Sequence, residues 1–201
     1  MPLWLATQPL VLASKSAARR DMLEAAGLRV EIVPADIDER AAEQGAKGGA
    51  GEVATLLACE KAKAVSAQKP GRYVLGADQT LSLGDRRFSK PADRASAQAQ
   101  LFALRGRTHE LHSAFAVARN GTVLVAQADM ARLTMRAFSD QFVDDYLDQM
   151  GPAAMTSVGG YQVEGRGIQL FDKVEGDHFV ILGLPLLWLL AFLRHEGLLA
   201  E

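Results

Sequence analysis

Between His109 and Met135 apolar and polar residues alternate with a period of two, through Leu111, Ser113, Phe115 and Val117, and the run is interrupted once, at Asn120-Gly121. Period two is the pattern of a strand with one buried face. Asn-Gly is the dipeptide whose two residues most readily take the positive φ of a tight hairpin turn. A long antiparallel hairpin is therefore expected, and any fold for this chain must accommodate it.

The rest of the chain reads as strands alternating with helices. Pro9–Ala13 is a short apolar run, and Ser14–Gly27 follows it with a hydroxyl near its start, Met22, Leu23 and Ala26 on one face, and a terminal glycine. Arg29–Val33 alternates and stops at Pro34. A helix is expected from about Glu52 to Gln68, where Val53, Leu56, Leu57, Ala64 and Val65 recur at helical spacing. Tyr73–Ala77 is the next strand, with Asp78 at its carboxyl end; Asp93 caps a helix that Gly106 stops, and Ser139 opens another. Glycine-punctuated strands are expected from Val158 to Val180, and Pro185 opens the last helix. The sum is an α/β chain of α+β character, a long mixed twisted sheet flanked by helices. It is read as one domain over residues 1–201, or two closely fused lobes with the active-site cleft between them.

Composition narrows the functions open to such a fold. With 49% hydrophobic and 23% charged residues the chain is an ordinary globular one, without a disordered stretch. A net charge of −2 provides no basic field for broad contact with nucleic acid or an anionic membrane. Cys59 is the only cysteine, and Met1-Pro2-Leu3-Trp4 does not begin a signal peptide. The apolar stretch Phe179–Leu193 contains Gly183 and Pro185 and falls short of the roughly 20 residues of a membrane span; it reads as a buried strand, a turn and a core helix. A cytoplasmic protein is expected, and exposed sheet edges would suit a homodimer.

Ligands of α/β folds bind beyond the carboxyl ends of strands. The polar residues at such places are Ser14, Lys15, Ser16, Arg19 and Arg20, then Asp38 and Glu39, Asp78 and Gln79, and Ser89 and Lys90. By charge they divide into two jobs. Arg19, Lys61 and Lys90 suit anionic oxygens, whereas Glu39 and Asp78 suit a divalent cation or an oriented water, the mixture phosphoanhydride hydrolysis requires. Ser14-Lys15-Ser16 leads into a helix N-terminus, which favours phosphate, but no Walker-type loop occurs. Taken singly each residue has a plainer reading: Ser16 a helix cap, Asp78 a turn former, Arg19-Arg20 a solvated helix face, Lys90 a surface loop. Gln44–Gly51 reads as a flexible loop, placed to act as a lid. The four histidines form no H-E-x-x-H pair, Cys59 reads as a core thiol, and Ser82 and Ser157 lie in no G-x-S-x-G turn.

Taken together, four separated segments resemble the Maf family of nucleotide pyrophosphatases: Leu12–Arg20, Asp38-Glu39, Glu60-Lys61-Ala62 and Gly76-Ala77-Asp78. Lys90-Pro91, Gly159–Gly165 and Gly183-Leu184-Pro185 agree with it, so the resemblance spans about residues 10 to 195. It implies a fold related to the inosine triphosphate pyrophosphatases. The implied reaction is hydrolysis of a nucleoside triphosphate between its α- and β-phosphates, with a divalent cation, Mg2+ or Mn2+. Asp78 matches the family's proton acceptor, with a share in holding the metal. Arg19, Lys61 and Lys90, with Ser14 and Ser16, match the phosphate site, and Glu39 a metal-associated acid.

The resemblance also bears on the base. Ala18, Gln79 and Glu164 all depart from the subgroup that hydrolyses dTTP and UTP. Gln79 and Glu164 are instead similar to the subgroup acting on 7-methyl-GTP, in which a carboxylate pairs with the cationic base. Ala18 replaces the aromatic residue usual there. The expected substrate is a modified purine nucleotide, 7-methyl-GTP first. The alternatives are a dTTP/UTP pyrophosphatase, a nucleotide-binding regulator of cell division with little catalysis, and a phosphatase that releases orthophosphate.

Overall fold

The structure is a computed structural model that describes residues 3–46 and 48–201. Seven strands form one sheet: β1 (Leu10–Leu12), β2 (Val30–Ile32), β3 (Val74–Leu83), β4 (Arg86–Phe88), β5 (Thr108–Arg119), β6 (Thr122–Met135) and β7 (Phe171–Glu175). Their order is β2-β1-β3-β5-β6-β7, with β4 paired to the end of β3. β1 is parallel to β2 and β3, and every other pairing is antiparallel. The expected hairpin is β5 and β6, and Asn120 and Gly121 turn it with φ of 52° and 79°.

Among the described residues seven α-helices accompany the sheet: α1 (Ala17–Ala25), α2 (Glu39–Gly45), α3 (Ala50–Gln68), α4 (Arg94–Leu104), α5 (Asp140–Met150), α6 (His178–Ile181) and α7 (Leu186–His195). Helix α3 crosses one face. It lays Ala54, Ala58 and Ala62 against Ala114, Ala116 and Ala118 of β5, and this alanine-on-alanine seam lets the backbones approach closely. Gly76 is the tightest point: a Cβ there would lie 2.1 Å from the carbonyl oxygen of Ala58 and 2.6 Å from the nitrogen of Ala62.

The opposite face carries two hydrophobic cores. Leu10, Leu12, Leu23, Leu75, Phe115, Leu189 and Leu193 gather α1 and α7 over one end of the long strands. Leu81, Leu101, Leu111, Leu133, Leu147 and Leu170 gather α4 and α5 over the other.

Four expectations are corrected. Asp78 does not close a strand: β3 continues to Leu83, because β5 pairs with it from Val74 to Ser82. Residues 39–45 are helical, since Asp38 caps the segment by accepting from the nitrogen of Ala41 at 3.0 Å; α3 begins at Ala50, so the glycine-rich loop shrinks to a few residues, of which Lys47 lies outside those described. Only β7 is a strand between Val158 and Val180; Val158–Gly160 and Arg166–Leu170 are 3-10 turns, and the positive φ of Gly159 and Gly160 favours turns over strand. Phe179 and Val180 belong to α6, where Asp177 Oδ1 accepts from both their backbone nitrogens.

Candidate active site

β1 and β4 both border β3 on the side away from β5, but they do not meet. β1 pairs as far as Leu75, and Ala13 extends it by one hydrogen bond to the Leu75 carbonyl at 2.8 Å. β4 begins at Leu81. Between them, among the described residues, the edge of β3 from Gly76 to Thr80 has no strand beside it. Asp78 and Gln79 occupy this notch, and strand alternation sends them to opposite faces.

Asp78 shares the α3 face with Gly76. Because Gly76 admits α3 so closely at Ala62, the preceding residue, Lys61, is delivered onto Asp78. Its Nζ lies 2.7 Å from Asp78 Oδ1 and 2.9 Å from Glu39 Oε1. Glu39 comes from the first turn of α2, which the Asp38 cap holds.

Arg19 reaches the notch from the other face. Its Nη1 donates to the Ala77 carbonyl at 2.9 Å, and its Nε to the Gly183 carbonyl at 2.9 Å. Ser14 Oγ accepts from Arg19 Nη1 at 3.3 Å and from the Ser16 nitrogen at 3.2 Å; Ser16 Oγ caps α1 by accepting from the Arg19 nitrogen at 3.4 Å. Burial lowers the Arg19 pKa, and the negative charges of Asp78 and Glu39 oppose that fall.

Arg19, Lys61 and Asp78 are each less than a tenth exposed. Two cations and two carboxylates thus meet at a sheet edge with their formal charges balanced, and three of the four are largely removed from water. Buried charge of this kind is costly unless paired. The arrangement can bind an anion, orient a water, or do both.

Gln79 is held beneath α6. Its Nε2 donates to Ser113 Oγ at 3.0 Å, the Ile181 carbonyl at 3.0 Å and the Val180 carbonyl at 3.2 Å, while Ser113 Oγ donates to the Val180 carbonyl at 2.7 Å. Its amide protons are therefore spent inside the protein.

The structure brings together Ser14, Ser16, Arg19, Glu39, Lys61, Asp78 and Gln79. Ala18 lies in the first turn of α1, half-buried beside Arg19. Lys90 is exposed in the loop after β4, and Glu164 is exposed between two 3-10 turns; neither joins the bonds of this cluster. Sequence reasoning missed Ser113, the carbonyl of Gly183 and the close approach at Gly76. Ser113 was visible as a hydroxyl on the buried side of an alternating strand. Gly183 has a φ of 101° and packs 3.5 Å from Arg19 at the position a Cβ would take, a conformation only glycine adopts readily.

Two cavities, of about 240 and 400 Å³, lie elsewhere, one by Trp4 and Tyr73 and the other by Asp129 and Trp188. Neither of these two is lined by Asp78. Among the described residues no helix is long and apolar enough to cross a membrane.

A protein of Rhodopseudomonas palustris named nucleoside triphosphate pyrophosphatase is 58% identical over 201 residues, all of both chains. A protein of Mesorhizobium japonicum named 7-methyl-GTP pyrophosphatase is 52% identical over 95% of this chain and 98% of its own. Among solved structures, the Staphylococcus aureus Ham1 protein aligns with 94% of this chain and 100% of its own at 14% identity and a TM-score of 0.47. The Maf-like protein family matches residues 9–196, and with that coverage the chain belongs to the Maf family.

Proposed function

We propose that this protein is a nucleoside triphosphate pyrophosphatase, hydrolysing the α-β anhydride to release a nucleoside monophosphate and pyrophosphate. The observation that carries the reading is Lys61 Nζ seated between Asp78 and Glu39 at the notch where Arg19 arrives from the opposite face. The names of the relatives from Rhodopseudomonas and Mesorhizobium support it.

The negative charge at the attacked α-phosphate and the departing pyrophosphate is spread over their oxygens, so positioning and cationic stabilisation outweigh proton removal. Lys61 and the unengaged edge of Arg19 supply the cations, and the hydroxyls of Ser14 and Ser16 supply donors at the start of α1. Lys90, exposed in the loop after β4, is the further cation offered to the phosphates. Asp78 takes one proton from the attacking water as its oxygen bonds to the α-phosphorus. The bond from that phosphorus to the bridging oxygen breaks, and pyrophosphate leaves with the electron pair.

A divalent cation fits the donor set. Among the described residues no cluster of three or more His, Cys, Asp or Glu side chains exists to hold one alone, but magnesium is commonly held by one or two carboxylates together with substrate phosphates. Asp78 and Glu39 are the carboxylates that would hold the ion, Mg2+ or Mn2+, which would supply positive charge against the phosphate. The substrate is a modified purine nucleotide, 7-methyl-GTP first. Glu164 supports this through its exposed carboxylate, suited to a cationic base. A single domain with its cleft at the notch, a cytoplasmic location and a house-cleaning role complete the reading.

Hydrolysis of 7-methyl-GTP, dTTP, UTP and ITP, with Mg2+ and with Mn2+ and with products identified, tests it. Pyrophosphate with 7-methyl-GTP turned over fastest is the expected result. Orthophosphate as product, or no turnover, would sink the reaction; dominant dTTP or UTP turnover would reverse the choice of base.

A further inference from the structure

The glycine-rich segment Gly159–Gly165, which carries Glu164, is pinned from below by a buried pair. His109, on β5, has no solvent exposure, and its Nε2 lies 2.6 Å from Tyr161 Oη. Phe171 closes the group, with ring centroids 4.9 Å from Tyr161 and 5.9 Å from His109. His109 Nδ1 has no hydrogen-bond partner.

Hydrogen-bond bookkeeping fixes the direction of the bond. If Nε2 carried the proton, the tyrosine hydroxyl would lose its acceptor and Nδ1 would be a bare, unpaired acceptor as well. If Tyr161 donates to Nε2, the single unpaired group is the Nδ1 proton. The second arrangement leaves fewer buried groups unsatisfied, so Tyr161 donates. The burial that holds this imidazole neutral supports the same state.

The bond fixes the ring of Tyr161, which packs against the segment around it. Its ring folds back under Gly159, where a Cβ would lie 2.6 Å from Tyr161 Cε1. Gln100 Oε1 accepts from the Gly159 nitrogen at 3.0 Å and Tyr146 Oη donates to the Gly160 carbonyl at 3.2 Å, so α4 and α5 clamp the same two glycines. After Tyr161 the chain closes a turn, with the Gly165 nitrogen donating to the Gln162 carbonyl at 3.2 Å. Glu164 lies inside that turn, three residues from the buried hydroxyl.

We infer that His109 is a positioning residue for nucleotide selection: through Tyr161 it sets the place of the turn that presents Glu164. This rests on the reading of Glu164 as the group that meets the base. A buried imidazole with one unpaired nitrogen costs stability where an apolar side chain would not, and a fixed turn is what that cost obtains.

The test compares Tyr161→Phe, His109→Leu, His109→Gln and Glu164→Ala with the parent protein, measuring kcat and KM for 7-methyl-GTP and amide hydrogen exchange over residues 158–165. Tyr161→Phe and His109→Leu are each expected to raise KM about tenfold with kcat within about twofold, and to speed exchange in the turn. His109→Gln keeps an acceptor for the hydroxyl and is expected to recover most of the KM. The double variant of Tyr161→Phe with His109→Leu should be no worse than either alone. If Glu164→Ala raises KM while Tyr161→Phe and His109→Leu do not, the positioning role is overturned and the substrate reading stands. If Glu164→Ala leaves KM unchanged, the reading of Glu164 falls and this role with it. Equal losses in His109→Gln and His109→Leu, or losses confined to kcat, also overturn it.

Discussion

Lys61 Nζ stands 2.7 Å from Oδ1 of Asp78, and the same nitrogen meets Oε1 of Glu39 at 2.9 Å. One ammonium therefore occupies the space between the two carboxylates proposed to receive the cation. Substrate binding must rearrange this trio: phosphate oxygens compete for Lys61, and the carboxylates it releases become free for an ion or a water.

Asp78→Asn keeps the shape of the side chain and removes its capacity to take a proton. Turnover is expected to fall by roughly 10²–10⁴, measured as pyrophosphate released under saturating nucleotide, while equilibrium nucleotide binding stays within a few-fold of the parent. Near-native turnover would remove Asp78 from the proton-accepting role.

Lys61→Met keeps the length of the side chain but leaves Asp78 and Glu39 without their shared cation. Breaking a buried pair by removing one partner costs about 3–5 kcal/mol; Glu39 is about half exposed, so about 3 kcal/mol is expected in urea unfolding. Adding Asp78→Asn should return part of the loss, since it deletes the uncompensated charge. A single variant as stable as the parent would mean that water, not Lys61, neutralises the carboxylate.

Gly76→Ala tests how the fold delivers Lys61. The added methyl would lie 2.1 Å from the carbonyl oxygen of Ala58, so α3 has to move outward. Overpacking of this kind costs about 1–3 kcal/mol, and a displacement near 1 Å at the chemistry lowers turnover by roughly 10². Turnover of the folded variant, compared at a temperature where both proteins are native by circular dichroism, checks it. Full activity would show that Lys61 does not depend on this contact.

Much of this arrangement was legible in the chain itself. The β5-β6 hairpin followed from alternation and Asn120-Gly121, and the caps Ser16, Asp93 and Ser139 followed from their place before apolar periodicity, because these are local signals. Asp78, Arg19 and Lys61 were legible as candidates by charge and through the resemblance. What local signals could not carry was the continuation of β3 through Asp78, which depends on the partner strand β5 far along the chain. The capture of Gln79 by Ser113 and the carbonyls of α6 was hidden for the same reason. The two backbone nitrogens that Asp177 Oδ1 caps place Phe179 and Val180, read as strand, in α6.

His109 makes the stability of the protein depend on acid in a specific window. Its pKa is lowered to about 4 from the ordinary 6.5, and the cause is burial. The unfolded chain therefore binds the proton more readily than the native one, so stability rises with pH while this group titrates. Its contribution is fully present above about pH 6.5, declines as pH falls below that value, and is lost by about pH 4. The span from 6.5 to about 4 corresponds to roughly 3 kcal/mol. Carboxylates elsewhere add their own acid dependence, so the informative quantity is the difference between the parent and His109→Gln, which does not titrate. Urea unfolding of both proteins between pH 7 and pH 4 should show the parent losing about 3 kcal/mol more than the variant. Parallel curves would mean that His109 is protonated equally in the native and unfolded states, which would require water to reach Nδ1 inside the cluster of Tyr161 and Phe171.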